Sequence, residues 1–230
     1  MTPWRRLYVT VEGHTERKFA DDLLRPHLAQ YEIAVYTRVV VTNRKLGKRG
    51  GVLDFKTIQG DLRRLMLEHA DPEVRFTTML DLYALPSEFP GWSEAHKQAT
   101  PDGRVKALES ALSMVIDDER FVPYIQLHEF EALLFCDLLE LQRRISGSDR
   151  GIEALRKEIG DLVPEAINEG ASTAPSKRII RHLPLYDRLK VRVGAPAATA
   201  IGLPALREKC PHFGAWISRL EALGRSANTC

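Results

Sequence analysis

Residues 6–11, Arg6-Leu7-Tyr8-Val9-Thr10-Val11, run straight into Glu12-Gly13, and this junction decides the fold. The run is apolar and β-branched, as a buried strand requires, and it breaks at Glu12-Gly13. From His14 to Leu28 the apolar residues Phe19, Leu23, Leu24 and Leu28 then recur at helical spacing. A second strand is predicted over Ile33–Thr42, ending in the turn-rich basic stretch Asn43–Gly51 (NRKLGKRGG). Asp54 is placed to cap a helix reaching about His69, with Ile58, Leu62 and Leu65 on one side. Arg75–Leu82 reads as a third strand, followed by the loop LPSEFPGW, a helix over Gly103–Ile116 and a fourth strand over Phe121–Leu127. Strands alternating with helices predict an α/β fold, with a mainly parallel sheet flanked by helices.

Beyond Glu129 the spacing turns helical, over Ala132–Ile145, Ile152–Ile159, Ser176–Leu189, Pro204–Lys209 and Phe213–Leu223. The expected organisation is an α/β core over residues 1–135 and a helical C-terminal extension over 136–230, packed on the core as one compact unit. A chain of 230 residues is long enough for that core, and 44% hydrophobic with 28% charged residues is an ordinary globular balance. No stretch approaches the roughly 20 apolar residues that cross a bilayer, which argues against a membrane partner. The apolar run Leu7–Val11 is too short for the core of a signal peptide. Cys136, Cys210 and Cys230 form neither a disulfide framework nor a zinc motif, so a cytoplasmic location is expected. The net charge of +2 conceals an asymmetry: eight Lys/Arg stand against two acids between Pro175 and Lys209. A basic region beside an acidic one suits a surface holding a polyanion next to carboxylates that need a cation. Solvated helix faces would give the same counts.

In parallel α/β sheets ligands bind at the carboxyl ends of the strands. Glu12 follows the first predicted strand, Asp81 closes the third, and Glu129 and Glu131 follow the fourth, while Glu16 lies four residues after Glu12. Carboxylates converging on one rim repel one another unless a cation or a proton neutralises them. Hard oxygen ligands of this kind suit Mg²⁺ or Mn²⁺. Taken singly, each has a plainer reading: Glu12-Gly13 as a turn, Asp81 as a loop cap, Glu129 and Glu131 as acids at a helix N-terminus.

Val11-Glu12-Gly13-His14-Thr15-Glu16 after the first strand resembles the opening motif of the TOPRIM domain, above all its variant in OLD-family (overcoming lysogenization defect) nucleases. Asp81, in MLDLYALP, would take the place of the acidic motif after strand three. Together with FPG and YIQLHEFEALLF (Tyr124–Phe135), these motifs look like a bacterial family described only as of unknown function. The resemblance implies a TOPRIM-like core and a nuclease using Mg²⁺ or Mn²⁺, with Glu12 and Asp81 catalytic, Glu12, Asp81 and Glu129 as the principal metal ligands, and Glu16 and Glu131 in a second metal site or around it. It also implies a late lysine near the metals, for which Lys177 is the candidate. Most TOPRIM domains carry D-x-D, and here Tyr83 stands in place of the second acid. OLD-like nucleases usually include an ABC-type ATPase, and this sequence has no Walker A motif. A separate ATPase subunit, in an antiviral defence system, is therefore the implied partner.

Arg44, Lys45, Lys48 and Arg49, with Lys177, Arg178 and Arg181, are the candidate phosphate contacts for a nucleic-acid substrate. Tyr83, Phe89 and Trp92 are available to stack on bases or to anchor a loop. His128 is a candidate general base or a packed residue beneath the site. The alternative function is a non-catalytic TOPRIM-like subunit that regulates an ABC-type ATPase, which the Tyr83 departure favours. The oligomeric state is left open, a homo-oligomer included.

Overall fold

The computed structural model of the chain describes residues 4–40, 54–167 and 173–225. Among the described residues the strands form one parallel sheet of order β2-β1-β3-β4, with β5 also on β3. The strands are β1 (Arg5–Val11), β2 (Ile33–Val39), β3 (Val74–Asp81), β4 (Phe121–Val122) and β5 (Ile125–Gln126). The α/β class, the parallel sheet and the helical C-terminal region are as the sequence predicts.

The fourth strand is split where one run was expected, and the chemistry of two residues explains the split. Phe76 pairs with Phe121 and Leu80 with Ile125, so the register against β3 is the same on both sides of the gap. Pro123 has no N–H to give the ladder. At the next position Thr78 Oγ1 accepts from Tyr124 N (3.1 Å) and donates to Tyr124 O (2.9 Å), so a side chain stands in for the missing backbone pair.

Helices cover both faces. On one face α3 (Phe55–Glu68) and α5 (Pro101–Ile116) bury Ile58, Leu62, Val105, Leu108 and Leu112 against Phe76 and Leu80. Asp54 caps α3, accepting from Lys56 N, as its position in the sequence predicts. On the other face α1 (His14–Phe19) continues through a π-helical turn (Ala20–Leu24) into α2 (Arg25–Ala29). That layer shares its core with the last two helices, α10 (Ala195–Lys209) and α11 (Pro211–Arg225). Leu7, Val9 and Val11 of β1 lie in the same cluster as Leu206, Phe213, Trp216 and Leu220. Trp216 stacks on Tyr124 at 4.1 Å, and its Nε1 donates to Thr77 Oγ1 at 2.9 Å. The C-terminal helices are thus part of the sheet's own core.

Three helical boundaries differ from expectation. Phe130–Cys136 is a 3₁₀ segment with all seven residues buried, and only Leu139–Gln142 (α6) of the expected Ala132–Ile145 helix is α-helical. The expected Ser176–Leu189 helix divides at Leu183-Pro184, since the residue before a proline is disfavoured in the α region. It becomes α8 (Pro175–His182), α9 (Tyr186–Leu189) and a π-helical turn over Lys190–Gly194. The expected Pro204 start lies inside α10, which begins at Ala195 and kinks at Gly202, whose φ of 79° favours glycine. Between α6 and α8 lies α7 (Asp149–Ile159).

Trp216→Ala removes the largest buried side chain shared by the sheet and α11, and should cost about 3–5 kcal/mol of stability. Denaturant unfolding should remain a single transition; a separate early loss of helical signal would show that residues 136–230 unfold on their own.

Candidate metal and active site

The sheet order creates the site. From β1 the chain moves to β2 on one side, then crosses to β3 on the other, so the carboxyl ends of β1 and β3 flank a topological switch point. Glu12 is the first residue past β1 and Asp81 the last of β3, and Asp81 N lies 3.4 Å from Glu12 Oε2 as its donor. Both carboxylates occupy one rim, as the sequence predicts.

Glu16 sits one turn into α1 and is buried. Gly13 is the N-cap of this helix, and the Glu16 carboxylate accepts from the Gly13 and Glu16 backbone N–H groups. This is the third-position half of a capping box. A Cβ on Gly13 would lie 3.0 Å from Glu16 Oε2, so the bare glycine gives the carboxylate room to fold back.

Glu129 and Glu131 reach the same region because His128 takes a left-handed conformation, φ 64°, at the end of β5. For a non-glycine residue that conformation is strained and needs support. His128 Nε2 donates to Glu165 O at 3.1 Å, and Tyr83 N donates to His128 O at 2.9 Å. Burial lowers the His128 pKa and keeps the ring neutral, so it is a packed residue. Glu129 Oε2 accepts from Ser176 N (2.8 Å) in the first turn of α8. Glu131 Oε1 faces Lys190 Nζ at 3.1 Å and accepts from Tyr186 Oη at 3.4 Å.

Electrostatics separate these acids. Burial and then Glu16 push Glu12 up to about 7. Burial, with Glu131 adding to it, brings Glu16 to about 7 as well. Asp81 is pushed well above the usual carboxylate range, first by burial and then by Glu12, Glu16, Glu131 and Glu129. Its Oδ1 is buried and has no hydrogen-bond partner. Burial also raises Glu131, against the pull of Lys190. Burial opposes the Lys190 ammonium, but Glu131, Glu129 and Asp187 together outweigh it and hold its pKa up. The described residues contain no group of three or more His, Cys, Asp or Glu able to hold a metal ion as they stand.

Lys177 is exposed on α8; its neighbour Ser176 touches the cluster through its backbone. The cation that does meet the carboxylates is Lys190, which sequence reasoning passed over within the basic 175–209 segment. Tyr186 was also missed, and no local signal marks it. Arg178 and Arg181 both pair with Glu158 of α7, at 2.7 and 2.9 Å, in a knot that also includes His182. Arg44, Lys45, Lys48 and Arg49 lie outside the described residues. Phe89 is buried against Phe55 at 5.2 Å. Cys136 and Cys210 are buried thiols with Sγ atoms 3.5 Å apart, and no described helix is long and apolar enough to cross a membrane.

A family model described as a domain of unknown function, DUF4276, matches residues 11–221. The chain belongs to the DUF4276 family. The match begins at Val11, one residue before Glu12, and contains every acid of the DUF4276 site. No curated protein and no solved structure matches the chain.

The raised acids make a pH prediction for this DUF4276 protein. The unfolded chain loses its Glu12 and Glu16 protons near 4.5, while the folded chain holds them to about 7. The resulting stability is full below pH 4.5 and is lost as pH rises to about 7. Chemical denaturation in EDTA should show this decline, and Glu12→Gln should flatten it; a rise across the same window would contradict the cluster.

Proposed function

We propose that this DUF4276 protein is a Mg²⁺- or Mn²⁺-dependent nuclease of TOPRIM type. The observation that carries the reading is Asp81, a buried carboxylate at a sheet switch point with Oδ1 unpartnered and four acids around it. A structure stabilised only for folding has little use for this arrangement, because an unpaired buried charge is destabilising. Perturbed carboxylates gathered in one place are a mark of functional sites.

Glu12, Asp81 and Glu16 offer hard oxygen donors of the type these ions take, and Glu12 and Asp81 are side by side. When bound, the ion supplies charge stabilisation for the oxyanions of phosphodiester hydrolysis. Glu129 and Glu131 are better placed to orient other groups. Glu129 ties α8 to the rim through Ser176 N, and Glu131 with Tyr186 holds the Lys190 ammonium beside the carboxylates. Lys190 thereby takes the role that the family resemblance gave to Lys177, presenting a positive charge to a substrate phosphate. Gly194 keeps this arrangement open: a Cβ there would fall 2.6 Å from the Tyr186 hydroxyl. A nucleic-acid substrate and a separate ABC-type ATPase partner in phage defence complete the proposal; they rest on the resemblance and on the basic segment.

A second reading, a non-catalytic regulatory subunit of such an ATPase, draws on one observation. The described acids are not gathered as a ready-made metal site, and Glu129 and Glu131 already have partners. Metal and activity measurements separate the two. In the nuclease, Mg²⁺ or Mn²⁺ should raise the melting temperature through ligand linkage. Asp81→Asn should weaken that response and abolish cleavage, measured with the ATPase partner present. Intact cleavage and unchanged metal stabilisation in Asp81→Asn would end the nuclease reading.

The two lysines give a sharper test. Lys190→Gln should lower the cleavage rate by about 10²–10³, the scale of losing one group that stabilises transition-state charge. Lys177→Gln should leave the rate close to wild type. The reverse ranking would restore Lys177 and overturn the assignment of Lys190.

A further inference from the structure

Immediately past Asp81 the chain makes a 3₁₀ turn, Leu82–Ala84, and beside it opens a pocket of about 230 Å³ lined by Leu82, Tyr83, Trp92, His96 and Arg104. Its volume is below the roughly 300–1,000 Å³ of sites that enclose drug-sized ligands, and fits one planar heterocycle. Leu82 is buried and forms an apolar part of the lining. Three of the other four residues bring flat π surfaces, and Arg104 brings a planar, donor-only guanidinium. Trp92 and His96 pack with ring centroids 4.4 Å apart, and His96 Nδ1 donates to Trp92 O at 2.8 Å. That bond places a proton on Nδ1. Tyr83 is 44% exposed, unlike Phe89 of the same loop region, which is buried in the core.

We propose that this pocket seats one unpaired base of a single-stranded nucleic acid whose backbone continues to the carboxylate rim. The inference rests on the nuclease reading for the direction in which the strand leaves. The chemistry of the occupant is set by the walls: aromatic faces recognise the face of a base, and only an unpaired or extruded base presents one. His96, on the pocket wall, brings a polar ring edge to the edge of the base. Position favours a strand over a free nucleotide. Tyr83 is two residues from Asp81, and its N–H bonds to His128 O, next to Glu129, so the Tyr83 wall of the pocket is tied to the rim. A free nucleotide would bring a doubly charged phosphate to a rim of carboxylates, whereas each phosphodiester of a strand carries a single charge. The acid that TOPRIM domains carry at this position is therefore replaced by a residue with a task of its own.

The test is binding of the full chain, in EDTA so that nothing is cleaved, to a labelled short oligothymidine and to a blunt hairpin duplex of matched length. The single strand should bind more tightly than the hairpin. Tyr83→Ala should weaken the single strand about tenfold, within the range of losing one base stack, and Tyr83→Phe should not. Binding of the single strand should also quench Trp92 fluorescence, a change absent from Trp92→Phe. Equal affinity for the duplex, an unaffected Tyr83→Ala, or full competition by thymidine monophosphate would each overturn the proposal. Since no metal is present, a failure of Asp81-dependent cleavage leaves this result unchanged, and the two readings fall separately.

Discussion

Repulsion between carboxylates at the β1/β3 switch point is the constraint on which the rest of this structure depends. Glu12 and Asp81 are brought together by strand pairing: Val11 is in register with Met79, so the chain has no freedom to separate the residues that follow. Burial strengthens the repulsion, because charges in a poorly solvated pocket screen one another weakly. Everything else at the rim either answers that charge or holds it in place. Glu16 takes backbone N–H groups at the start of α1, Glu129 takes one from α8, and Glu131 takes Lys190 and Tyr186. Asp81 Oδ1 alone among these oxygens is buried with no hydrogen-bond partner.

The answering groups come from far along the chain, which gives the C-terminal helices a role beyond covering the sheet. Tyr186 and Lys190 lie in the segment that leads into α10, whose apolar residues share one core with β1 and α1. The π-helical turn carrying Lys190 ends at Gly194, whose missing side chain leaves space for the Tyr186 hydroxyl. A second π-helical turn, Ala20–Leu24, interrupts the α1–α2 helix on the same face. Such turns re-aim side chains within otherwise regular helices and recur at functional sites. Core packing and site electrostatics are thus coupled: a change at Trp216 or Phe213 would act on Lys190 through the seat of α10.

What was legible in the sequence follows from how local each signal is. Strands β1 and β3 and their closing acids were readable because a β-branched apolar run ending in Glu-Gly or Asp-Leu carries its meaning within a few residues. Asp54 and the α3 stripe were readable for the same reason. The direction of a helix face is not local. Lys177 at the start of α8 and Lys190 at the start of a π-helical turn are alike as text, and only the packing of α8 and α9 turns one outward and the other onto Glu131. The Phe130–Cys136 segment misled because a fully buried run has no polar side, so its spacing does not separate α from 3₁₀ geometry. Glu16 was read only as a ligand, and its bonds to the Gly13 and Glu16 N–H groups add a capping role that the sequence reading did not anticipate.

The rim also bears on why a folded chain keeps such a group of acids. Replacing Asp81 by asparagine would keep its volume and remove one of the repelling charges, and replacing Glu12 by glutamine would do the same on β1. Stability alone therefore selects against the residues present, and proteins accept that penalty where a site must bind or react. Two agents can neutralise the rim, a proton or a divalent cation, and they compete for the same oxygens. Burial and the neighbouring acids raise Glu12 and Glu16 to about 7, so the rim is easily protonated near neutral pH. A protonated rim is neutral and offers a polyanion no bridging charge. A cation-bound rim adds positive charge beside Lys190, where a phosphate would be drawn in. Under the proposed activity, an ion held by Glu12 and Asp81 would reverse the sign of the rim, and that reversal would link the strain in the fold to the chemistry.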